Sequence, residues 1–428
     1  MPGLNDYLDW RGDIPVTAEN LNEVDNLIFC LLAYVDFEGI LPSDPVAEGM
    51  TLREAAKEYF FTHREDEPRP LGLIVPAEII TLFRRLSETP RYQDLWLTGY
   101  VNEVCTEREM QFSAITVALP DHGYFVAIRG TDDTIVGWKE DFKLSYLDEV
   151  PAQRKAVSYL DSLPLRDEDV LYVGGHSKGG NLAVWGAVHA SERTQSKIKR
   201  VYSNDGPGFT EAMIRSDAYR RMSERLTFLL PQSSLVGLLL ANDSTYQIVK
   251  SRTLGLFQHN GLSWNVMGPS FVRQEKLSGR GVRTDTVVRE RIDGMSREEK
   301  QTFVEMMFEV LESTGATTLT ELANGKIKSA MAMLRTFHAF DKDKKEMAAY
   351  LFSKLFDIKL PQGKDKAKAK DDETQSLPAD SNGENVPLPP ALIMAAEKKE
   401  TPSAPHPKKH RHAPKSNIKV VWHIGKTR

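Results

Sequence analysis

The stretch that most constrains the fold is a short apolar run that breaks into glycines and is followed at once by an alanine-bearing amphipathic segment. The run spans 170–173, and a Gly-His-Ser-Lys-Gly turn occupies 175–179. This order predicts a strand, a very tight turn and a helix. Side chains at Gly175 and Gly179 would clash with the strand and the helix, and the serine must take a strained conformation. The stretch therefore predicts a nucleophile elbow with Ser177 as nucleophile. The alternative is a Gly/Ser-rich turn that only caps a helix.

Strands and helices are predicted to alternate around this turn. A hairpin is predicted over 111–128 and further strands over 198–203, 226–230, 246–251 and 256–264, with helices between most of them. Such alternation predicts the α/β class, with a mostly parallel sheet and helices on both faces.

Composition divides the chain into three parts. We expect an α/β domain over 1–285, a helical appendage over 286–360 and a disordered tail over 361–428. The tail carries 13 Lys and Arg against 8 Asp and Glu, so it could contact an anionic surface weakly. A solvated tail without a partner is the alternative.

The overall composition excludes several classes of protein. The 428 residues are 41% hydrophobic and 27% charged, which is typical of a soluble globular chain. With only Cys30 and Cys105, the sequence predicts neither a disulfide framework nor a cysteine zinc site, and a reducing compartment is favoured. The polar N-terminus is unlike a signal peptide, and no apolar run reaches the ~20 residues of a membrane span. We therefore expect a cytoplasmic protein that uses no cofactor and no metal.

The N-terminal part is predicted to contain a mostly apolar, buried helix over 18–34. Asp25 lies just ahead of its apolar run and is expected to be either solvated or paired with the helix cap.

A serine nucleophile needs a base that takes its proton and an acid that orients the base. In elbow hydrolases these follow in the order serine, acid, histidine. His259, on a polar loop, is the candidate base, because the other histidines after Ser177 lie on the elbow helix, in the appendage or in the tail. An ordinary solvated loop histidine is the alternative. His176 is expected to pack under the elbow.

The acid is less constrained by the sequence. Asp205 ends the strand that follows the elbow helix, and Asp243 is the other candidate before His259. Asp205 could instead be a turn-forming residue ahead of Gly206.

The oxyanion of the tetrahedral intermediate needs two donors. The backbone N–H of Lys178 is one candidate, and Thr131, in an Arg-Gly-Thr loop after a predicted strand, could offer its N–H and hydroxyl together. Trp138 and Asp141 are expected to brace this loop.

These residues also carry a family resemblance. The motifs at 128–131 and 175–180, with His259 near Trp264, resemble class 3 lipases. Longer segments look more closely like the bacterial Mbeg1-like family: 111–115, 129–133, 137–142, 203–208 and 258–259. The resemblance covers roughly 1–285 and implies an α/β-hydrolase fold with no assigned substrate; lipid-like acyl chains are favoured by the resemblance alone.

The chain departs from class 3 lipases at one position. Those enzymes carry their acid in Asp-x-Val-Pro, where this chain has Ser-Leu-Val-Gly at 234–237. The acid must then lie elsewhere, at Asp205, or the triad is incomplete.

Two hypotheses follow. The first is a lipase-like or esterase-like serine hydrolase that cleaves a small-molecule or lipid-like carboxylic ester through an acyl-enzyme on Ser177. The second is a catalytically degenerate α/β-hydrolase that acts as a binding or scaffold protein. No nucleic-acid partner is expected, and the oligomeric state stays open.

Overall fold

The computed structural model describes residues 1–63, 71, 75–234, 236–240, 246–277 and 294–356. All described residues belong to one compact unit. The predicted disordered tail at 361–428 lies outside them.

The strands of the described residues are β1 (Met50–Thr51), β2 (Trp96–Cys105), β3 (Met110–Leu119), β4 (Gly123–Ile128), β5 (Val170–His176), β6 (Ile198–Asn204), β7 (Leu226–Pro231), β8 (Gln247–Val249), β9 (Val266–Met267), β10 (Ser270–Phe271) and β11 (Arg273–Gln274). Nine of them form one sheet in the order β1-β2-β3-β4-β5-β6-β7-β8-β11. Neighbours from β4 to β8 pair in parallel, and the outer pairs are antiparallel. The carboxyl ends of the parallel strands therefore meet at one edge.

The helices of the described residues are α1 (Leu4–Arg11), α2 (Glu23–Leu32), α3 (Leu52–Thr62), α4 (Glu78–Glu88), α5 (Ile135–Lys143), α6 (Pro151–Asp161), α7 (Lys178–His189), α8 (Glu192–Lys197), α9 (Glu211–Ile214), α10 (Asp217–Met222), α11 (Arg297–Glu312), α12 (Leu319–Asn324), α13 (Lys326–Ala339) and α14 (Lys342–Phe356). Within the described ranges, no helix combines the length and the apolar character that a bilayer span requires.

Two hydrophobic cores lie on the two faces of the sheet. On β4, Phe125 and Ala127 pack into the core that contains α2, whereas Val126 and Ile128 pack into the core that contains α7. This alternation follows from the two-residue period of a strand. The predicted α/β fold, with a mostly parallel central sheet and helices on both faces, is confirmed.

One predicted element is wrong and lies next to the candidate site. The strand expected over 256–264 is instead two 3₁₀ turns, Gly255–His259 and Gly261–Ser263. Gly255 has a φ of 56°, and the Asn260 side chain accepts a hydrogen bond from Leu262 N–H. Glycine and asparagine thus impose turns on a segment whose apolar residues suggested a strand.

The C-terminal helices are attached close to α5. Leu319 N–H donates to the Asp133 carbonyl over 2.9 Å, and Phe142 packs against Phe308 with ring centroids 5.8 Å apart. The loop after β4 is therefore held between the sheet and these helices.

Candidate active site

Ser177 lies in the tight turn between β5 and α7. Its backbone has φ 59° and ψ −134°, a conformation that non-glycine residues rarely adopt. A Cβ on Gly175 would lie 2.0 Å from the Gly179 carbonyl oxygen, and one on Gly179 would lie 2.1 Å from the Ile128 carbonyl oxygen. Both flanking positions therefore require glycine, and the turn presents Ser177 at the carboxyl edge of the sheet.

Asp205 and His259 meet at the same edge. His259 Nδ1 lies 2.6 Å from Asp205 Oδ2. The Asp205 side chain is 1% exposed and that of His259 is 14% exposed. Because a carboxylate can only accept, Nδ1 carries the proton and Nε2 is left free to take one from a nucleophile.

Asp205 also occupies a turn. Its φ is 52°, a left-handed conformation that aspartate tolerates better than most residues. The turn-forming role and the contact with His259 therefore coexist at one residue. The other candidate acid, Asp243, lies outside the described residues.

The segment that departs from class 3 lipases contacts this acid. Ser234 Oγ donates a short hydrogen bond to Asp205 Oδ1, and Gly237 N–H donates to the same oxygen over 3.2 Å. Where those lipases carry a carboxylate, this chain therefore supplies donors to a carboxylate from the turn that follows β6.

The loop that carries His259 is fixed by buried neighbours. The Gln258 side chain accepts from Ser233 N–H over 2.8 Å and donates to the Thr253 carbonyl over 2.9 Å. Trp264 Nε1–H donates to the Gln258 carbonyl over 2.9 Å. These contacts hold the imidazole of His259 against Asp205 without a regular strand.

His176 connects the elbow to the His259 loop. Its Nε2–H donates to the His259 carbonyl over 2.7 Å, and its Nδ1 lies 3.1 Å from the Tyr34 hydroxyl, which donates to it. Burial, and then the neighbouring His259, lower the pKa of His176 to about 3. His176 is thus neutral with its tautomer fixed, in agreement with the expectation that it packs under the elbow.

Ser177 is adjacent to this contact. The rings of His176 and His259 have centroids 4.6 Å apart, so the elbow and the imidazole lie side by side. In the part of the chain that the structure describes, the Ser177 hydroxyl forms no hydrogen bond with His259. In unliganded enzymes this contact is often long and shortens when substrate binds.

The two predicted oxyanion residues flank Ser177. A Cβ on Gly130 would lie 2.9 Å from Ser177 Cβ, so the Thr131 loop packs directly on the elbow. Lys178 N–H is at the first position of α7, where no intrahelical acceptor exists. The Thr131 hydroxyl, however, donates to Asp141 Oδ2 over 2.5 Å. Thr131 therefore has its N–H, but not its hydroxyl, to offer to an oxyanion.

Asp141 has the contact expected of a residue that braces this loop. Burial raises its pKa to about 6, against the opposing effects of Lys178 and the Thr131 hydrogen bond. Two residues of the site have no local sequence signal: Tyr34, in the turn after α2, and Glu140, whose partner Lys178 is 38 residues away.

A cluster of side chains that could hold a metal ion lies away from the elbow. Among the described residues, His122, Glu168 and Asp169 bring ligand atoms within 4.8 Å of one another. They lie at the amino end of β5, opposite the elbow, and two of the three are exposed. Exposed acidic groups of this kind are common without an ion.

The fold and this geometry define an α/β protein with a serine elbow and an Asp–His pair at the carboxyl edge of its sheet. A family model described as Mbeg1-like matches residues 86–309. The match covers more than half of the chain, which therefore belongs to the Mbeg1-like family.

Curated proteins and solved structures provide two further comparisons. No curated protein matches the chain. Among solved structures, one described as "Crystal structure of M37 lipase" is similar at 14% identity with a TM-score of 0.32, covering 51% of this chain and 70% of that chain.

Proposed function

We propose that this protein is a serine hydrolase that cleaves a carboxylic ester through an acyl-enzyme on Ser177. His259 is the general base and Asp205 the acid that orients it. The observation that carries the proposal is the 2.6 Å contact between His259 Nδ1 and Asp205 Oδ2 beside a serine with a strained backbone.

The proposed chemistry follows from which atoms can donate and accept. Ser177 Oγ attacks the ester carbonyl carbon while His259 Nε2 takes its proton, and Asp205 stabilises the resulting imidazolium. The carbonyl oxygen becomes an oxyanion that accepts from the N–H groups of Lys178 and Thr131. Collapse breaks the ester C–O bond as His259 returns the proton to the leaving alcohol. Water, deprotonated by His259, then releases the acid from Ser177.

Two exposed apolar side chains close to His259 in sequence favour an ester with an apolar acyl group. Leu254 and Phe257, on the loop and 3₁₀ turn that lead to His259, are 80% and 65% exposed. Large apolar side chains this exposed are suited to contact with an apolar ligand. A lipid-like ester is therefore the favoured substrate class.

Hydrolysis of p-nitrophenyl esters of graded acyl length tests the proposal, with Ser177→Ala as the matched control. The wild type should hydrolyse at least one ester and Ser177→Ala none above background. Equal rates for both proteins would contradict the proposal.

The second candidate function is a degenerate hydrolase that serves as a binding or scaffold protein. It is favoured by one observation, the lack of a Ser177–His259 hydrogen bond in the described residues. A folded wild type that hydrolyses no ester and resists a fluorophosphonate probe would favour this candidate over the first.

A further inference from the structure

Helix α5 presents two successive carboxylates to the two residues that flank the nucleophile. Glu140 Oε2 accepts from Lys178 Nζ over 3.1 Å, and Asp141 Oδ2 accepts from Thr131 Oγ1 over 2.5 Å. One short helix thus contacts both residues whose N–H groups would bind the oxyanion.

The Lys178 side chain is directed into the protein. It is fully buried, and its Nζ also donates to the Gln111 carbonyl over 3.0 Å. Burying an unpaired ammonium group is strongly unfavourable, so Lys178 depends on the Glu140 carboxylate for compensation. Although Lys178 adjoins the nucleophile in sequence, its ammonium group hydrogen-bonds to residues of β3 and α5.

Glu140 is itself held in place by two backbone N–H groups in addition to Lys178. Its Oε1 accepts from Ala152 N–H over 2.8 Å, and its Oε2 accepts from Gln111 N–H over 3.0 Å in addition to Lys178 Nζ. The carboxylate, which is fully buried, therefore joins the starts of β3 and α6 to the first residue of α7.

We propose that Glu140 is a positioning residue of the oxyanion hole. By holding Lys178 Nζ it fixes where α7 begins, and so where Lys178 N–H points, while Asp141 next to it fixes the Thr131 loop. The inference rests on the proposed function. It adds that oxyanion geometry is set from α5, a helix that supplies no residue of the proposed triad and neither of the proposed oxyanion donors.

The physical reason is preorganisation. Backbone donors stabilise an oxyanion only if they already point at its position, and a shift of about 1 Å can cost about 100-fold in rate. Ground-state binding depends much less on these donors. A positioning role therefore affects kcat and leaves KM unchanged, whereas a merely structural ion pair affects only stability.

The test compares Glu140→Gln with Asp25→Asn in the full chain. Asp25 forms the other fully buried ion pair described, with Arg91, and contacts none of the site residues. Both variants replace a buried carboxylate by the amide of the same shape. For each, kcat and KM for p-nitrophenyl butyrate and the inhibition constant of an alkyl trifluoromethyl ketone are measured per folded molecule.

We expect Glu140→Gln to lower kcat about 10- to 100-fold and to weaken the ketone, which forms a tetrahedral oxyanion, by the same factor, with KM unchanged. Asp25→Asn should leave all three constants at wild-type values. Lys178→Met removes the same pair from the other side and should behave like Glu140→Gln. Because the two partners act together, the double variant should lose little more than either single variant.

If Glu140→Gln or Lys178→Met folds and keeps wild-type kcat and ketone affinity, the inference is overturned while the proposed function stands. If one of them does not fold, the other decides. A wild type that hydrolyses no ester overturns the proposed function itself.

Discussion

Two ion pairs are fully buried in the described residues, and they differ in how completely their surroundings are hydrogen-bonded. Asp25 accepts from Arg91, from the hydroxyls of Tyr7 and Tyr92 and from Asn22 N–H. Both carboxylate oxygens are saturated, and the pair joins α2 to the segment before β2. Such a network stabilises and rigidifies a core.

The groups around the Glu140–Lys178 pair are less completely hydrogen-bonded. Asp141 Oδ1, 3.7 Å from Lys178 Nζ, and both amide atoms of Gln111 are buried without a hydrogen bond among the described residues. Most buried polar atoms of native proteins are hydrogen-bonded. We therefore expect the Asp25–Arg91 pair to serve stability, whereas the Glu140–Lys178 pair is the one that we propose to support the candidate site.

The largest effect is expected from a change at Asp205, the proposed acid of the site, which belongs to neither buried ion pair. Asp205→Asn should lower kcat about 10⁴-fold, because an amide no longer selects the tautomer of His259 that leaves Nε2 free. Steady-state kinetics with an ester substrate measures this. A loss below tenfold in folded protein would mean that another carboxylate orients His259.

How much of the candidate site could be predicted from the sequence depends on how far apart the contacting residues lie along the chain. The elbow was predictable because the strand, the glycines and Ser177 are contiguous. The Asp205–His259 pair spans 54 residues and needed the serine, acid, histidine order as well. The pairs Glu140–Lys178 and Tyr34–His176 span 38 and 142 residues and have no local signal.

Asp25 illustrates the same limit. The expectation that it pairs with the helix cap is met, since its carboxylate accepts from Asn22 N–H. The expectation of a solvated group is wrong, because Arg91, 66 residues away, covers it. Local pattern predicts a cap, but only tertiary packing decides whether that cap is buried.

The second-largest effect is a loss of stability, expected from a change in the Asp25–Arg91 pair. Asp25→Asn should lower the free energy of unfolding by about 3–5 kcal/mol, because it leaves the Arg91 charge buried and unpaired. Denaturant unfolding measures the loss, and kcat per folded molecule should not change. A large drop in kcat would mean that the two pairs do not divide stability and function in this way.

The third effect follows from the raised pKa of Asp141. Its pKa of about 6 in the folded protein, against the ordinary 3.8, means that the folded state binds the proton more tightly. Stability from this group is present below pH 4 and is lost as the pH rises through 6. With the side chain 25% exposed, the loss should be on the order of 2 kcal/mol.

Asp141→Asn should abolish this dependence. The free energy of unfolding of the variant, minus that of the wild type, should become more positive between pH 4 and pH 6.5. Asp148→Asn, an exposed carboxylate, is the control. Parallel stability curves for wild type and Asp141→Asn would show that Asp141 titrates normally.

The smallest effect concerns the link between the elbow and the base. Tyr34→Phe removes the donor to His176 Nδ1 and should lower stability by about 1 kcal/mol. We expect kcat to fall less than tenfold, since His176 keeps its bond to the His259 carbonyl. Thermal unfolding and ester kinetics measure the two quantities. A loss as large as that of Asp205→Asn would place Tyr34 in the chemistry itself.

The central claim, that Ser177 is an activated nucleophile, is tested most directly by mapping a covalent adduct. The protein is treated with a fluorophosphonate and its peptides are analysed by mass spectrometry, with Ser177→Ala and His259→Ala as controls. The account predicts one phosphonyl group on Ser177 of the wild type and none at equal times in either variant. Folded wild-type protein that remains unlabelled, or that is labelled at another residue, would contradict it.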